Sequence, residues 1–323
     1  MFNITQNLIR ALASVAVLTA LCLGWVTSAF AGPVDLGSAA DYAVVAVGGL
    51  NAQHKSSFKL YQSGTVINGN VAEGPYTTLD HGIDATVNGR SDYDLTDQNP
   101  LVEQPGSNTP SGGFHQLDLS GVALAARNAS AAAAALTPTQ TFASLNAFDG
   151  VGSIVGTSGV NVIRITGDSA VKISLTLSGT ATSTFVFQFT SPTTAGDVIL
   201  SLSGMTMNIG SINPDNIYRD FNGLGGDVSI TSMAAGQTVY GNFLAPDRNI
   251  LSDHGIVDGR LIGGGSGSLL DIHSGSEITV PAPDTGGSTL VLLGIALVGF
   301  VGLVRFGRLQ VCRTDTKQGL GRG

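Results

Sequence analysis

The stretch VYGNFLAPDRNILSDHGIVDGRLIGGG, Val239 to Gly265, sets short aliphatic runs between three aspartates, two arginines and a histidine. Two readings compete for it. Asp247, Arg248, Asp253, His254, Asp258 and Arg260 could supply the acid, base and anchor of a site that cleaves polysaccharide, since such chemistry needs facing carboxylates or a carboxylate-held metal. They could equally be the turn and surface residues of a repetitive β structure. The spacing favours the second reading. The aspartates stand six and five residues apart, each beside a turn signal, so successive coils put them at corners rather than on one face. The Asp-His-Gly device also recurs, at Asp80–Gly82 and Asp253–Gly255. Val239, Phe243, Leu244, Ile250, Ile256 and Leu261 are then expected as inward rungs, with no catalytic residue among the polar ones.

Outside this stretch the same grammar continues. Short alternating or β-branched runs such as YAVVAV (Tyr42–Val47), VKISLTL (Val171–Leu177), TFVFQF (Thr184–Phe189), VILSLSG (Val198–Gly204) and VSIT (Val228–Thr231) are separated by Gly, Asn, Asp and Ser. These are strand and turn signals. One segment differs: LDLSGVALAARNASAAAAAL (Leu117–Leu136) is alanine-rich and stopped by Thr137-Pro138. It predicts one long helix over about 117–136, capped by Ser120, with Leu119, Val122, Ala126, Ala129, Ala133 and Leu136 docked on a sheet. Many strands and one helix suit a β-sandwich or a β-solenoid. Recurring strand-turn units with small corner residues favour the solenoid.

The two ends carry export signals. Arg10, the apolar run Ala11–Val26 and the small residues Ala29 and Ala31 read as a secretory leader of residues 1–31, cut before Gly32. A lipoprotein at Cys22 is the alternative, against which Leu21 stands where a small residue is required. Near the other end, Thr289–Val304 is a run of 16 residues that Gly286–Ser288 could extend toward the roughly 20 of a bilayer span. Arg305 and Arg308 follow it and place the tail on the cytoplasmic side. The expected organisation is a leader (1–31), a β-solenoid domain (32–280) and a C-terminal signal with its membrane segment (281–323).

Between Gly32 and Asp284 there are 9 Lys and Arg against 22 Asp and Glu, which argues against nucleic acid as a partner. That part contains no cysteine, so its own core must hold it. The five histidines, His54, His81, His115, His254 and His273, show no zinc spacing, and no metal or cofactor is expected. Asp92, Asp94 and Asp97 could bind calcium weakly, but they lack the central Gly and bidentate Glu of a calcium loop, and a solvated acidic loop is the plainer reading.

Four pieces in order resemble the ice-binding-like (DUF3494-type) domains: VDLGSAADYAVVAVGGLN (Val34–Asn51), GTVINGNVAEGP (Gly64–Pro75), LTLSGTATSTFVFQF (Leu175–Phe189) and the opening stretch. YGNFLAP (Tyr240–Pro246) is also similar to the choice-of-anchor A family of exported surface proteins. The resemblance implies a right-handed, discontinuous β-helix with a long helix along its side. The C-terminal region, with Pro283, Asp284, Thr285 and Gly286 before the apolar run and the arginines, resembles a PEP-CTERM or VPDSG-type sorting signal. It implies processing by an exosortase and delivery to the cell surface or exopolysaccharide of a Gram-negative bacterium.

The leading expectation is therefore a non-catalytic surface or matrix protein acting in adhesion or biofilm structure, in contact with exopolysaccharide or other surface proteins. One alternative is an ice-binding protein with a flat solenoid face, for which Thr176, Thr180, Thr182 and Thr184 are the candidate contacts. A second alternative is a polysaccharide-active enzyme.

Overall fold

The computed structural model describes residues 33–61, 64–81, 85–96, 109–190, 199–233 and 237–280. Ala29 and Ala31, Asp97, Pro283 to Gly286, the run 289–304, Arg305 and Arg308 lie outside the described residues, so the leader and the sorting signal rest on sequence alone. Among the described residues no helix is long and apolar enough to cross a membrane.

The chain first forms Val44–Gly48 (β1), Ser56–Leu60 (β2), Val66–Asn68 (β3), Val71–Glu73 (β4), Thr77–His81 (β5), Thr86–Val87 (β6), Ser91–Asp94 (β7) and Phe114–Leu117 (β8). The helix Ser120–Ala135 (α1) follows. Next come Gln140–Phe142 (β9), Ile154–Val155 (β10), Val160–Ile165 (β11), Ser169–Val171 (β12), Ser174–Ser178 (β13), Thr184–Phe189 (β14), Leu200–Ser203 (β15) and Thr206–Asn208 (β16). Ile217–Asp220 (β17), Val228–Thr231 (β18), Val239–Tyr240 (β19), Asn242–Ala245 (β20) and Ile250–Asp253 (β21) continue the series. Ile256–Asp258 (β22), Leu261–Gly265 (β23), Leu269–His273 (β24) and Glu277–Thr279 (β25) complete it.

These strands wind into a parallel β-solenoid with three faces. Among the described residues, face 1 is a ten-stranded sheet in the order β8-β7-β4-β1-β23-β20-β17-β14-β11-β9. Face 2 is seven-stranded, β12-β15-β18-β21-β24-β2-β5, and face 3 is split into β10-β13-β16 and β19-β22-β25-β3-β6. The order is discontinuous: β1 lies between β4 and β23, so the first coil stacks on the last. The discontinuous solenoid with one helix is the expected fold.

Strand alternation builds the core. In β15 Leu200 and Leu202 point inward and Ser201 and Ser203 outward, and β18 repeats this with Val228 and Ile230. Phe185, Phe187 and Phe189 of β14 stack along the interior, and Phe189 meets Phe221 at 4.4 Å with planes 7° apart. Each such buried ring contributes about 1.5–3 kcal/mol. Val239, Phe243, Ile250 and Leu261 are inward rungs as expected. Leu244 is buried under α1 instead, and Ile256 is only partly buried at the edge of the core while its neighbour Val257 takes the rung. Two adjacent aliphatics leave the phase of a strand open, and the stacking register decides it.

The corner between faces 3 and 1 admits glycine only. A Cβ on Gly259 (φ +151°) would stand 2.0 Å from the Gly241 carbonyl oxygen, and one on Gly241 (φ +108°) 2.6 Å from that of Ile217.

The helix covers the middle of face 1, burying Val122, Ala123, Ala126, Ala129, Ser130 and Ala133 against Val45, Val186, Leu244 and Ile262. Ser120 does not cap it. Asp118 Oδ1 accepts from the Ser120 N–H (3.0 Å) and hydroxyl (2.6 Å), and Asp94 Oδ2 accepts from the Leu119 N–H (2.8 Å). Carboxylates serve the positive helix start better than a hydroxyl. At the other end Gln188 Nε2 donates to the Ala133 and Leu136 carbonyls, both at 2.8 Å, and so closes the last turn. Between them the Ser130 hydroxyl donates to Asp220 Oδ1 at 2.5 Å. Burial pushes the Asp220 carboxyl up to about 7, against the smaller opposing effects of Ser130 and Arg248.

Two predictions follow from the corner and the helix seat. Gly259→Ala lowers unfolding free energy by more than about 1 kcal/mol in urea denaturation, whereas Gly121→Ala on the open helix surface raises it by about 0.5–1 kcal/mol. Asp220 titrates from 3.8 unfolded to about 7 folded, so its contribution is full below pH 4 and is lost as pH rises to about 7. Asp220→Asn therefore gains stability over the parent across that window. About three pKa units at about 1.4 kcal/mol each set the ceiling, on the order of 4 kcal/mol, and parallel melts at pH 4 and pH 8 read the gain.

Candidate functional site

The polar residues of the opening stretch scatter over the solenoid. Asp253 ends β21 on face 2, Asp258 ends β22 on face 3, and His254 occupies a turn with φ +55°. Asp247 accepts from the Ser266 hydroxyl at 2.6 Å and lies 3.6 Å from Arg127 of the helix. The two arginines are not surface residues. Arg260 is buried, bonded to Asp215 at 2.6 Å, Asn242 at 3.1 Å and the Ala40 carbonyl at 3.2 Å. Arg248 is buried over the Phe221 ring, 5.8 Å from its centroid. Each ties neighbouring coils together at a corner.

Asp92 and Asp94 of the acidic run also differ from a solvated loop. Asp92 is fully buried and accepts from the Tyr42 hydroxyl and Arg90 Nε, both at 2.7 Å, while Asp94 holds the helix start. Among the described residues no group of three or more His, Cys, Asp or Glu side chains is placed to hold a metal ion.

The four threonines do not share a face. Thr176 lies on face 3 opposite Asn208, and Thr180 and Thr182 sit in the turn after β13, their hydroxyls 3.1 Å apart. Thr184 is buried at the start of β14, on face 1. The turn at Gly179–Ser183 moves the chain from one face to another, so alternation counted through it fails.

The regular exposed surface is face 2. Face 1 is covered in its middle by α1, and face 3 is broken between β16 and β19. On face 2 every strand pairs in parallel without interruption, and outward residues form columns. One runs Ala170–Ser201–Ser229–Leu251, and beside it runs Ser203–Thr231. All six are small or neutral, and all are exposed or half-buried. The columns continue into a charged half: Leu251 is followed by Asp271 and Lys59, and Thr231 by Asp253 and His273. There His273 stacks on Tyr61 at 5.2 Å. The signal for this surface was the serine alternation of VILSLSG and VSIT, which a search for threonines passes over.

The family model described as "Putative Ice-binding-like adhesive domain" matches residues 26–280. No curated protein matches the chain. Among solved structures, a glycosylated ice-binding protein from an Arctic yeast is 19% identical with a TM-score of 0.49, over 78% of this chain and 97% of that one. An ice-binding protein from the Antarctic ascomycete Antarctomyces psychrotrophicus is 19% identical with a TM-score of 0.48, over 77% and 98%. The DUF3494 domain of a Shewanella frigidimarina ice-binding protein is 16% identical with a TM-score of 0.45, over 77% and 98%. The family match takes in every strand of the three faces and the helix laid on them, and on that extent the chain belongs to the ice-binding-like adhesive domain family.

Proposed function

We propose that the chain is an ice-binding protein and that the neutral half of face 2 is its contact surface. This corrects the leading expectation of a protein acting in adhesion or biofilm structure: the family matched over residues 26–280 is ice-binding-like, which favours the alternative weighed beside it. A non-catalytic role accords with a family named for binding rather than for a reaction.

The observation that carries the reading is the unbroken register of β12, β15, β18 and β21. Neighbouring strands are about 4.8 Å apart and outward residues recur about every 6.7 Å along each, so side chains of one column repeat at a fixed step. A crystalline ligand is periodic, and only a periodic surface meets many of its sites at once. Small neutral groups suit such a contact, because charged side chains hold their own water. Ala170, Ser201, Ser203, Ser229 and Thr231 meet both conditions, Leu251 is neutral but larger, and Asp253 and Asp271 mark where the surface changes.

Export belongs to the same reading. The leader, the apolar run 289–304 and the motif Pro283–Gly286 support passage out of the cytoplasm, a membrane tether and processing by an exosortase.

Ser201→Lys with Ser229→Lys places two charges in the central column. Each change is expected to alter stability by no more than about 0.5 kcal/mol. The double variant should lose thermal hysteresis and recrystallisation inhibition that the parent shows, while Thr176→Lys on face 3 retains both. Full activity in the double variant, or no effect of the parent on ice growth at high concentration, refutes the assignment.

A further inference from the structure

The stacking order contains one interface between parts of the chain that are far apart in sequence. The strands β1–β8 form a continuous block, and its first coil closes the coil β23–β25. Val44 pairs with Leu261, Phe58 with Leu270 and Ile67 with Ile278, all six buried to 1% exposure or less. Leu261 N–H donates to the Ala43 carbonyl at 3.0 Å, Val66 N–H to Ser276 at 2.8 Å, and Ser57 N–H to Ser268 at 3.1 Å. On face 3 Asn68 Nδ2 reaches Thr279 Oγ1 at 3.0 Å, across 211 positions of sequence.

We propose that this interface is exchangeable between chains: the block β1–β8 of one copy closes the β23–β25 coil of a second copy. Three observations lead there. The surface on β23–β25 is complementary to a segment that every copy carries, so exchange reproduces each contact and needs no new one. The chain crosses from the block to the remaining coils once, through α1, and the run Leu136–Gln140 between α1 and β9 is the hinge. Finally, the block precedes its partner coil in the chain by some 200 residues, as the separation of Asn68 and Thr279 shows. Until β23–β25 exists, the open edges of β1, β2 and β3 and the rings and branches of Phe58 and Ile67 have no partner on that side. An unpaired strand edge on a folding chain captures whatever matching edge arrives first.

In the exchanged pair α1 travels with its block. The Asp94 bond to Leu119 stays within one chain, and the bonds of Gln188 to the helix end pass to the other. Faces 1 to 3 keep their columns, because the register across the junction is unchanged. Closure within one chain works at an effective concentration of order millimolar, so folded chains at micromolar concentration keep their own block. Exchange is set during folding.

The contact of Asn68 with Thr279 supplies the test. Asn68→Cys is introduced in one population and Thr279→Cys in another, each in the full chain with Cys22 and Cys312 replaced by serine. The two are unfolded together, refolded at about millimolar concentration, oxidised and separated without reductant. A disulfide-linked species of twice the chain mass, holding one chain of each kind, is expected. The same populations folded apart and then mixed should give monomer alone. Ser57→Cys with Leu269→Cys, paired on face 2, repeats the experiment at a second position. Refolded mixtures with the parent's circular dichroism but no linked pair at either position overturn the proposal. Equal linkage with and without joint refolding overturns it too, since that marks collision between folded chains.

Discussion

A single coil of this protein cannot satisfy its own backbone. Its strands are two to six residues long and lie on different faces, so every ladder N–H and C=O needs the coil above or below. The stack supplies these partners in its interior and fails at any free end. The chain removes two of its ends by placing the first coil on the last, where β1 meets β23, β2 meets β24 and β3 meets β25. Everything else, from the column of phenylalanines to the columns of face 2, depends on that closure holding one register through both halves.

The solenoid was legible because its signals are local. Alternation in VKISLTL and VSIT, glycine at corners and one alanine-rich run each report on neighbours in sequence. The arginines were not legible, because their setting is made by other coils. Arg219 shows this most sharply. It stands at an inward position of β17, with its guanidinium 4.7 Å from the centre of the Phe243 ring and Nη1 donating to the Tyr240 carbonyl at 2.6 Å. Burial draws its pKa down to about 9. Nothing in IYRD marks that arginine as interior, since the long side chain could as well reach solvent.

The candidate site was half legible for the same reason. Threonine was the sought residue, and the threonines of Thr176–Thr184 lie on three different parts of the coil. The surface that repeats sets three serines, two on β15 and one on β18, among Ala170, Thr231 and Leu251, and no single strand announces it. Only the register that sets Ser201 beside Ser229 turns separate dipeptide alternations into columns. The aspartates were misjudged in a similar way. Asp92 and Asp94 are short acceptors that take up hydrogen-bond donors left over by the corner and the helix start, rather than the members of a solvated loop.

The helix also fixes how far the stack can extend. Asp94 on β7 holds its start and Gln188 on β14 its end, and face 1 takes six strand steps between those two, from β7 through β4, β1, β23, β20 and β17 to β14. Six steps of about 4.8 Å make about 29 Å, and the run from Leu119 to Leu136 at about 1.5 Å per residue makes about 26 Å. The two lengths agree, so α1 acts as a gauge. A duplication that inserted one more coil between β7 and β14 would leave one end of the helix short of its carboxylate or its glutamine. A stack lengthened in that span must lengthen the helix by about three residues per coil, or add its coils beyond the helix's reach.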